Sequence, residues 1–130
     1  MTTGIKQNGV TAFPLLSEAS KLMVDKKLDE AARLTMDHLR RYPNEPRGLA
    51  QLGTIAMQLG ALGQAEHFFR HSLKHGAPSA EVQRNLGSIL NQQERLDEAL
   101  ILFETLLKQE GDPSLRAIIA VILDKLGRTE

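Results

Sequence analysis

Ala31, Ala65 and Ala99 stand 34 residues apart, each in the frame Leu-x-x-Ala with Leu28, Leu62 and Leu96. A fixed period of this length marks a repeat array, in which no unit can bury its apolar face alone and each leans on its neighbours. The same offset pairs Leu52 with Leu86, Gly53 with Gly87, Phe69 with Phe103 and Leu73 with Leu107. Between these anchors the apolar residues fall at helical spacing. Leu49, Leu52, Ile55, Ala56 and Leu59 mark one helix, and Leu62, Ala65, Phe68, Phe69 and Leu73 mark the next. Each unit is therefore expected to be a helical hairpin.

Turn residues sharpen the boundaries. Gly60 follows the first helix of its unit, Gly76 and Gly111 stand where left-handed helix ends are tolerated, and prolines 43, 46, 78 and 113 punctuate the links. Asp112 before Pro113 reads as a cap followed by a first-turn proline. Gly53 and Gly87 are expected where the first helix presses closest on its partner, facing Ala65 and Ala99, with Phe69 and Phe103 filling the space between successive hairpins. The expected layout is a flexible segment over 1–11, then one domain over 12–130 with repeats 12–45, 46–79 and 80–113 and a partial repeat 114–130. The fold class is all-α: an α-solenoid of three antiparallel hairpins and one extra C-terminal helix, about seven helices.

Residues 46–79, with Leu52-Gly53, Ala65 and Phe69, and 80–113, with Leu86-Gly87, Ala99 and Phe103, make the chain resemble the tetratricopeptide repeat family. The unit at 12–45 keeps Leu28, Ala31 and Pro43 but has Glu18-Ala19 for the Leu-Gly pair and Thr35 for the aromatic, as a terminal repeat can. The resemblance implies a non-catalytic scaffold that binds a protein or peptide in the concave groove lined by first helices. It assigns that groove to Arg47, Gln51, Thr54, Arg84, Asn85, Ser88 and Asn91, with Phe13, Leu16 and Ser20 at its start. The clamp by which some relatives grip acidic chaperone tails is not matched, because its positions hold Leu16, Ser20, Gln51, Glu81 and Asn85. An alternative implied by the resemblance is the N-terminal repeat domain of a longer bacterial enzyme, such as a sulfotransferase or another transferase, with a regulatory or substrate-docking role.

Other chemistry is thinly represented. Sixteen basic and sixteen acidic residues cancel, so no global field draws in nucleic acid or an anionic membrane. The chain has no cysteine, which removes disulfides and thiolate metal sites and fits a reducing, cytoplasmic setting. Met1 to Thr11 lacks a basic segment followed by an apolar core, so no secretory signal is expected. His67, His71 and His75 recur every four residues and could share a divalent ion, but they fall away from Ala65 and Phe69 and read as a solvated stripe, with no metal and no cofactor expected. His38 reads as a satisfied surface or inter-helix residue. Asp29-Glu30 and Asp97-Glu98 open second helices, where they favour the helix dipole rather than acid-base catalysis. No serine, histidine and acid arrangement converges and no strands are expected, so no enzyme activity is. The run Leu115 to Leu123 is apolar almost all round yet too short to cross a bilayer. Its residues Leu115, Ile118, Ile119, Ile122 and Leu123 are expected to meet a further helix of a longer chain or to pair two copies as a homodimer.

Overall fold

The computed structural model describes residues 6–7, 10–11, 13–76 and 78–127. Among them run α1 (Pro14–Val24), α2 (Leu28–Arg41), α3 (Pro46–Gln58), α4 (Leu62–His75), α5 (Ala80–Gln92), α6 (Leu96–Glu110) and α7 (Ser114–Lys125). Helix α1 packs on α2, α3 on α4 and α5 on α6, so each period is one hairpin and the fold class is the all-α helical-repeat solenoid. Ahead of α1, Lys6–Gln7 (β1) pairs antiparallel with Val10–Thr11 (β2). The expectation of no strands overlooked this short pair. The helices gather into two compact units, Met1–Gly76 with α1 to α4 and Ala77–Glu130 with α5 to α7.

The hairpin turns obey the period more strictly than their residues do. Lys26, Gly60 and Glu94, each 34 apart, all have left-handed backbones, with φ of 62°, 82° and 60°. In each turn the amide of the next residue returns to a carbonyl of the helix just ended: Lys27 to Leu22, Ala61 to Ala56 and Arg95 to Leu90. Only the middle turn has the glycine that this conformation favours. Gly127 follows α7 with φ 76° in the same manner. Gly111 is left-handed as expected, whereas Gly76 is extended (φ −133°). Its requirement is space, because a Cβ there would stand 2.7 Å from Pro46 Cβ.

The small residues of the first helices meet a different partner from the one expected. A Cβ on Gly53 would lie 2.7 Å from the Phe69 ring, and one on Gly87 would lie 2.7 Å from that of Phe103. Each ring thus sits on the glycine of its own hairpin instead of filling the gap to the next. In the first hairpin the corresponding pair is Ala19 and Thr35, both fully buried. Thr35 is too small to fill the place of a phenylalanine, and Gln51 reaches toward it from α3. The Gln51 amide donates to Leu16 O at 3.2 Å and to Thr35 Oγ1 at 3.3 Å, while Thr35 donates to Ala31 O at 2.8 Å.

In helix α7 much of the face expected to pair two copies or to meet a further helix turns inward. Leu115, Ile119 and Ile122 are buried, and Ile118 and Leu123 half-buried, in a unit where α7 packs on α6. The exposed residues of α7 are Ser114, Arg116, Ala117, Ala120, Val121, Asp124 and Lys125. The five residues expected to pair two copies therefore turn largely into the chain's own core, since an apolar helix has to spend its bulkiest side chains where water is excluded first. No described helix is long and apolar enough to cross a membrane.

Candidate functional site

The densest arrangement of polar and aromatic groups lies in the first unit, where α2 hands over to α3. Tyr42-Pro43-Asn44-Glu45 makes the link, and Pro46 opens α3 at the position where its missing N–H costs nothing. Glu45 caps that helix with both oxygens: Oε1 accepts from the Gly48 amide at 2.8 Å and Oε2 from the Arg47 amide at 3.0 Å. His38, buried in α2, stands with Nε2 2.7 Å from Glu45 Oε1. A carboxylate can only accept, so Nε2 carries the proton and donates. Burial alone would raise the Glu45 pKa, but the bonds from His38 and the two amides outweigh it and hold the carboxyl below its usual range. Gly48 leaves room for this contact, because its Cβ would come within 2.6 Å of the His38 ring.

Phe13 joins the cluster from the start of α1. Its ring meets His38 edge-on at 4.7 Å and Tyr42 at 5.3 Å, and the Arg47 guanidinium lies over it at 4.8 Å from the centroid. The Arg47 side chain is 54% exposed, and its Nε reaches Glu45 Oε2 only at 3.5 Å. A cleft of about 370 Å³ opens beside it, lined by Phe13, Pro14, Leu16, Ser17, Ser20, Arg47 and Gln51. A second hollow of about 630 Å³ lies where Phe13, Pro14, Leu15 and His38 meet Arg40, Arg41 and Tyr42. The structure therefore brings Arg47 and Gln51 together with the inner residues of α1. Thr54 is turned back on its own helix, its hydroxyl donating to Ala50 O at 3.1 Å.

The groove residues expected on α5 are more committed to the fold. Arg84 Nη2 bonds Glu110 Oε1 at 2.8 Å and Asp112 Oδ2 at 2.9 Å, closing α5 onto the link between α6 and α7. Asp112 also accepts from the Ser114 amide at 3.0 Å, although Pro113, and not Asp112 as expected, is the N-cap residue of α7. Bonds from Ser114 and then Arg84 hold its carboxyl below its ordinary pKa. Arg84 is therefore a structural cation, and charge reversal there is not the stability-neutral change that a groove position implies. Asn91 Oδ1 accepts from Lys125 Nζ at 3.4 Å; Asn85 is half-buried and Ser88 exposed.

The histidine stripe on α4 is real. Ring centroids of His67 and His71 are 5.8 Å apart and those of His71 and His75 are 4.7 Å apart. Partial burial first, then the neighbouring His75, His67 and Lys74, press the His71 pKa below its usual value. Among the described residues no group of three or more histidine, aspartate, glutamate or cysteine side chains is placed to hold a metal ion.

Sequence reasoning named Arg47, Gln51 and Leu16 but missed the partnership of His38 and Glu45. Their spacing of seven residues gave no sign, because one closes a helix and the other opens the next. The period did carry a signal: His38, Ser72 and Leu106 occupy one repeat position and all three are buried. At that position in the second hairpin, Ser72 Oγ donates to Pro46 O at 2.8 Å.

No family model and no curated protein sequence matches the chain. Solved structures do. YrrB, a TPR protein with an unusual peptide-binding site, superposes with a TM-score of 0.81 at 18% identity over 88% of this chain and 59% of its own. The first TPR of Spaghetti (RPAP3), solved with the HSP90 peptide SRMEEVD, gives 0.80 at 18% identity, covering 87% of this chain and 90% of that one. MamA gives 0.76 at 20% identity, covering 84% of this chain and 64% of MamA. The chain thus spans about three-fifths of YrrB and MamA and most of the RPAP3 domain. At such identities the likeness is one of fold, and it agrees with the repeat period, the paired helices and the glycine-on-phenylalanine contacts: this chain has the tetratricopeptide-repeat fold.

Proposed function

We propose that the chain is a non-catalytic interaction module that binds an extended peptide in the cleft between α1 and α3. The observation that carries this reading is the Arg47 guanidinium, half-exposed at the cleft's edge and oriented by Phe13 beneath it. An arginine so placed can take a carboxylate through two parallel hydrogen bonds. Ser17, Ser20 and the Gln51 side chain add hydroxyl and amide groups for a peptide backbone, and Phe13 and Leu16 an apolar floor. Solved neighbours that bind peptides support the class of ligand.

The test is selection of displayed peptides on the purified protein, followed by titration of the best binder. Arg47→Glu should weaken that peptide at least tenfold, with the melting temperature within a few degrees of the parent. A binder indifferent both to Arg47→Glu and to Ser20→Trp, which would fill the cleft, sinks the assignment.

A further inference from the structure

Three of the chain's four histidines stand on one face of α4. The fourth, His38, is buried and bonded to Glu45, whereas His67 and His75 are exposed and His71 is half-buried. His67, His71 and His75 follow at four-residue steps, so each ring lies about one turn from the last. The two steps are not equivalent. The His71 and His75 centroids are 4.7 Å apart with the rings inclined at 67°, whereas those of His67 and His71 are 5.8 Å apart. His67 is also drawn elsewhere: its ring meets Phe68 at 5.6 Å and lines an apolar hollow of about 600 Å³ with Ala32, Met36 and Leu59.

Zinc and its neighbours take imidazole nitrogens at about 2.0 Å, which puts the centroid of each coordinated ring about 3.2 Å from the ion. Two rings that subtend about 90° to 110° at the ion then have centroids about 4.5 to 5.2 Å apart. The His71–His75 pair falls inside that window and the His67–His71 pair outside it. We infer that His71 and His75 form a two-imidazole clamp across the last turn of α4 for one divalent ion of the imidazole-preferring kind, zinc above all. The expectation of no metal rests on the lack of a third protein ligand, and among the described residues there is none. Two nitrogens at chelating distance do not need one, because water fills the remaining positions of an open site. The packing of α4 on α3 fixes the helix that spaces the two rings, so little order is left to impose when the ion arrives. The ion binds neutral imidazole, and the surroundings of His71 favour that form: desolvation first, then His75, His67 and Lys74 hold its pKa below the usual value. Lys74 is exposed beside the pair, while Arg70 is occupied by Glu66 at 2.9 Å.

Calorimetric titration of zinc into the purified chain, carried without a histidine tag, tests the inference. One ion per chain should bind, and magnesium, which prefers oxygen ligands, should give no heat of binding. His71→Gln and His75→Gln should each weaken zinc at least tenfold and His67→Gln by less than about threefold, all three keeping the helical circular dichroism of the parent. Lys74→Glu, which puts an anion where a cation stands beside the clamp, should tighten zinc severalfold, a gain that damage to the fold does not mimic. A parent that binds no zinc up to about millimolar concentration overturns the inference. So does binding that survives His75→Gln, or binding that His67→Gln weakens as much as His71→Gln, which would move the ion to the other pair.

Discussion

Glu45 shows how much of a small repeat unit can hang on one side chain. It satisfies two amides at the start of α3 that no helical carbonyl can reach, and it accepts the hydrogen bond of a buried imidazole that packs among the Phe13 and Tyr42 rings and Gly48. Removing it leaves the helix uncapped and His38 without its acceptor. Loss of a cap costs about 1 kcal/mol and an unsatisfied buried donor about 1–3 kcal/mol, and the two overlap. Glu45→Ala should therefore destabilise the protein by about 2 kcal/mol in urea denaturation, whereas Glu45→Gln, which keeps an acceptor for one amide, should cost about half as much. Equal stability of Glu45→Ala and the parent would show that His38 finds another partner. Arg47 neighbours Glu45 but reaches solvent, and that difference in exposure makes one residue a cap and the other a ligand-binding candidate.

At the scale of the element, the hairpin turns show a rule kept in the backbone but not in the residues. Position 26, 60 or 94 must be left-handed for the following amide to fold back on the ended helix, yet lysine and glutamate hold it at two of the three places. A side chain in that region costs about 1 kcal/mol, partly offset because glycine loses more freedom on folding. Lys26→Gly and Glu94→Gly should each raise stability by about 0.5 kcal/mol, and Gly60→Ala should lower it by about 1 kcal/mol, all read from shifts in urea midpoint. If the glycine variants lose stability, the turns are held by side-chain contacts and not by backbone geometry. This is also where the sequence was most and least legible. The period located every hairpin because core positions repeat, and Gly60 marked its turn. Lys26 and Glu94 were silent because neither residue type marks a left-handed turn as glycine does. The inner cleft was half legible: the resemblance to tetratricopeptide repeats, and not the period itself, places Arg47, Gln51 and Leu16 on the first-helix face. The cap of α3, the burial of Leu115, Ile119 and Ile122 and the binding of Arg84 to Glu110 and Asp112 depend on contacts 3 to 28 residues away in chain distance, as in the Arg84 to Asp112 bond. A helical period does not encode those.

For the whole molecule, formal neutrality hides an uneven response to acid. The folded state holds the His71 pKa below that of a free histidine, through burial first and then the neighbouring cations. The unfolded chain therefore binds this proton more readily, so the associated stability is complete above roughly pH 6.5 and drains away as pH falls through the folded pKa. Glu45 and Asp112 are carboxylates with lowered pKa values, one in each compact unit. Their contribution is present above roughly pH 4 and is lost as pH falls through their folded values. Acidification should thus lower the melting temperature in two stages, a shallow one beginning near neutrality and a steeper one in the carboxylate range. His71→Gln should flatten the first stage and leave the second, as should His75→Ala in part, since removing one cation lets the His71 pKa rise. Melts recorded at neutral, mildly acidic and strongly acidic pH for the three proteins decide the matter. A first stage that persists unchanged in His71→Gln assigns it to another group and removes the histidine stripe from the account of stability.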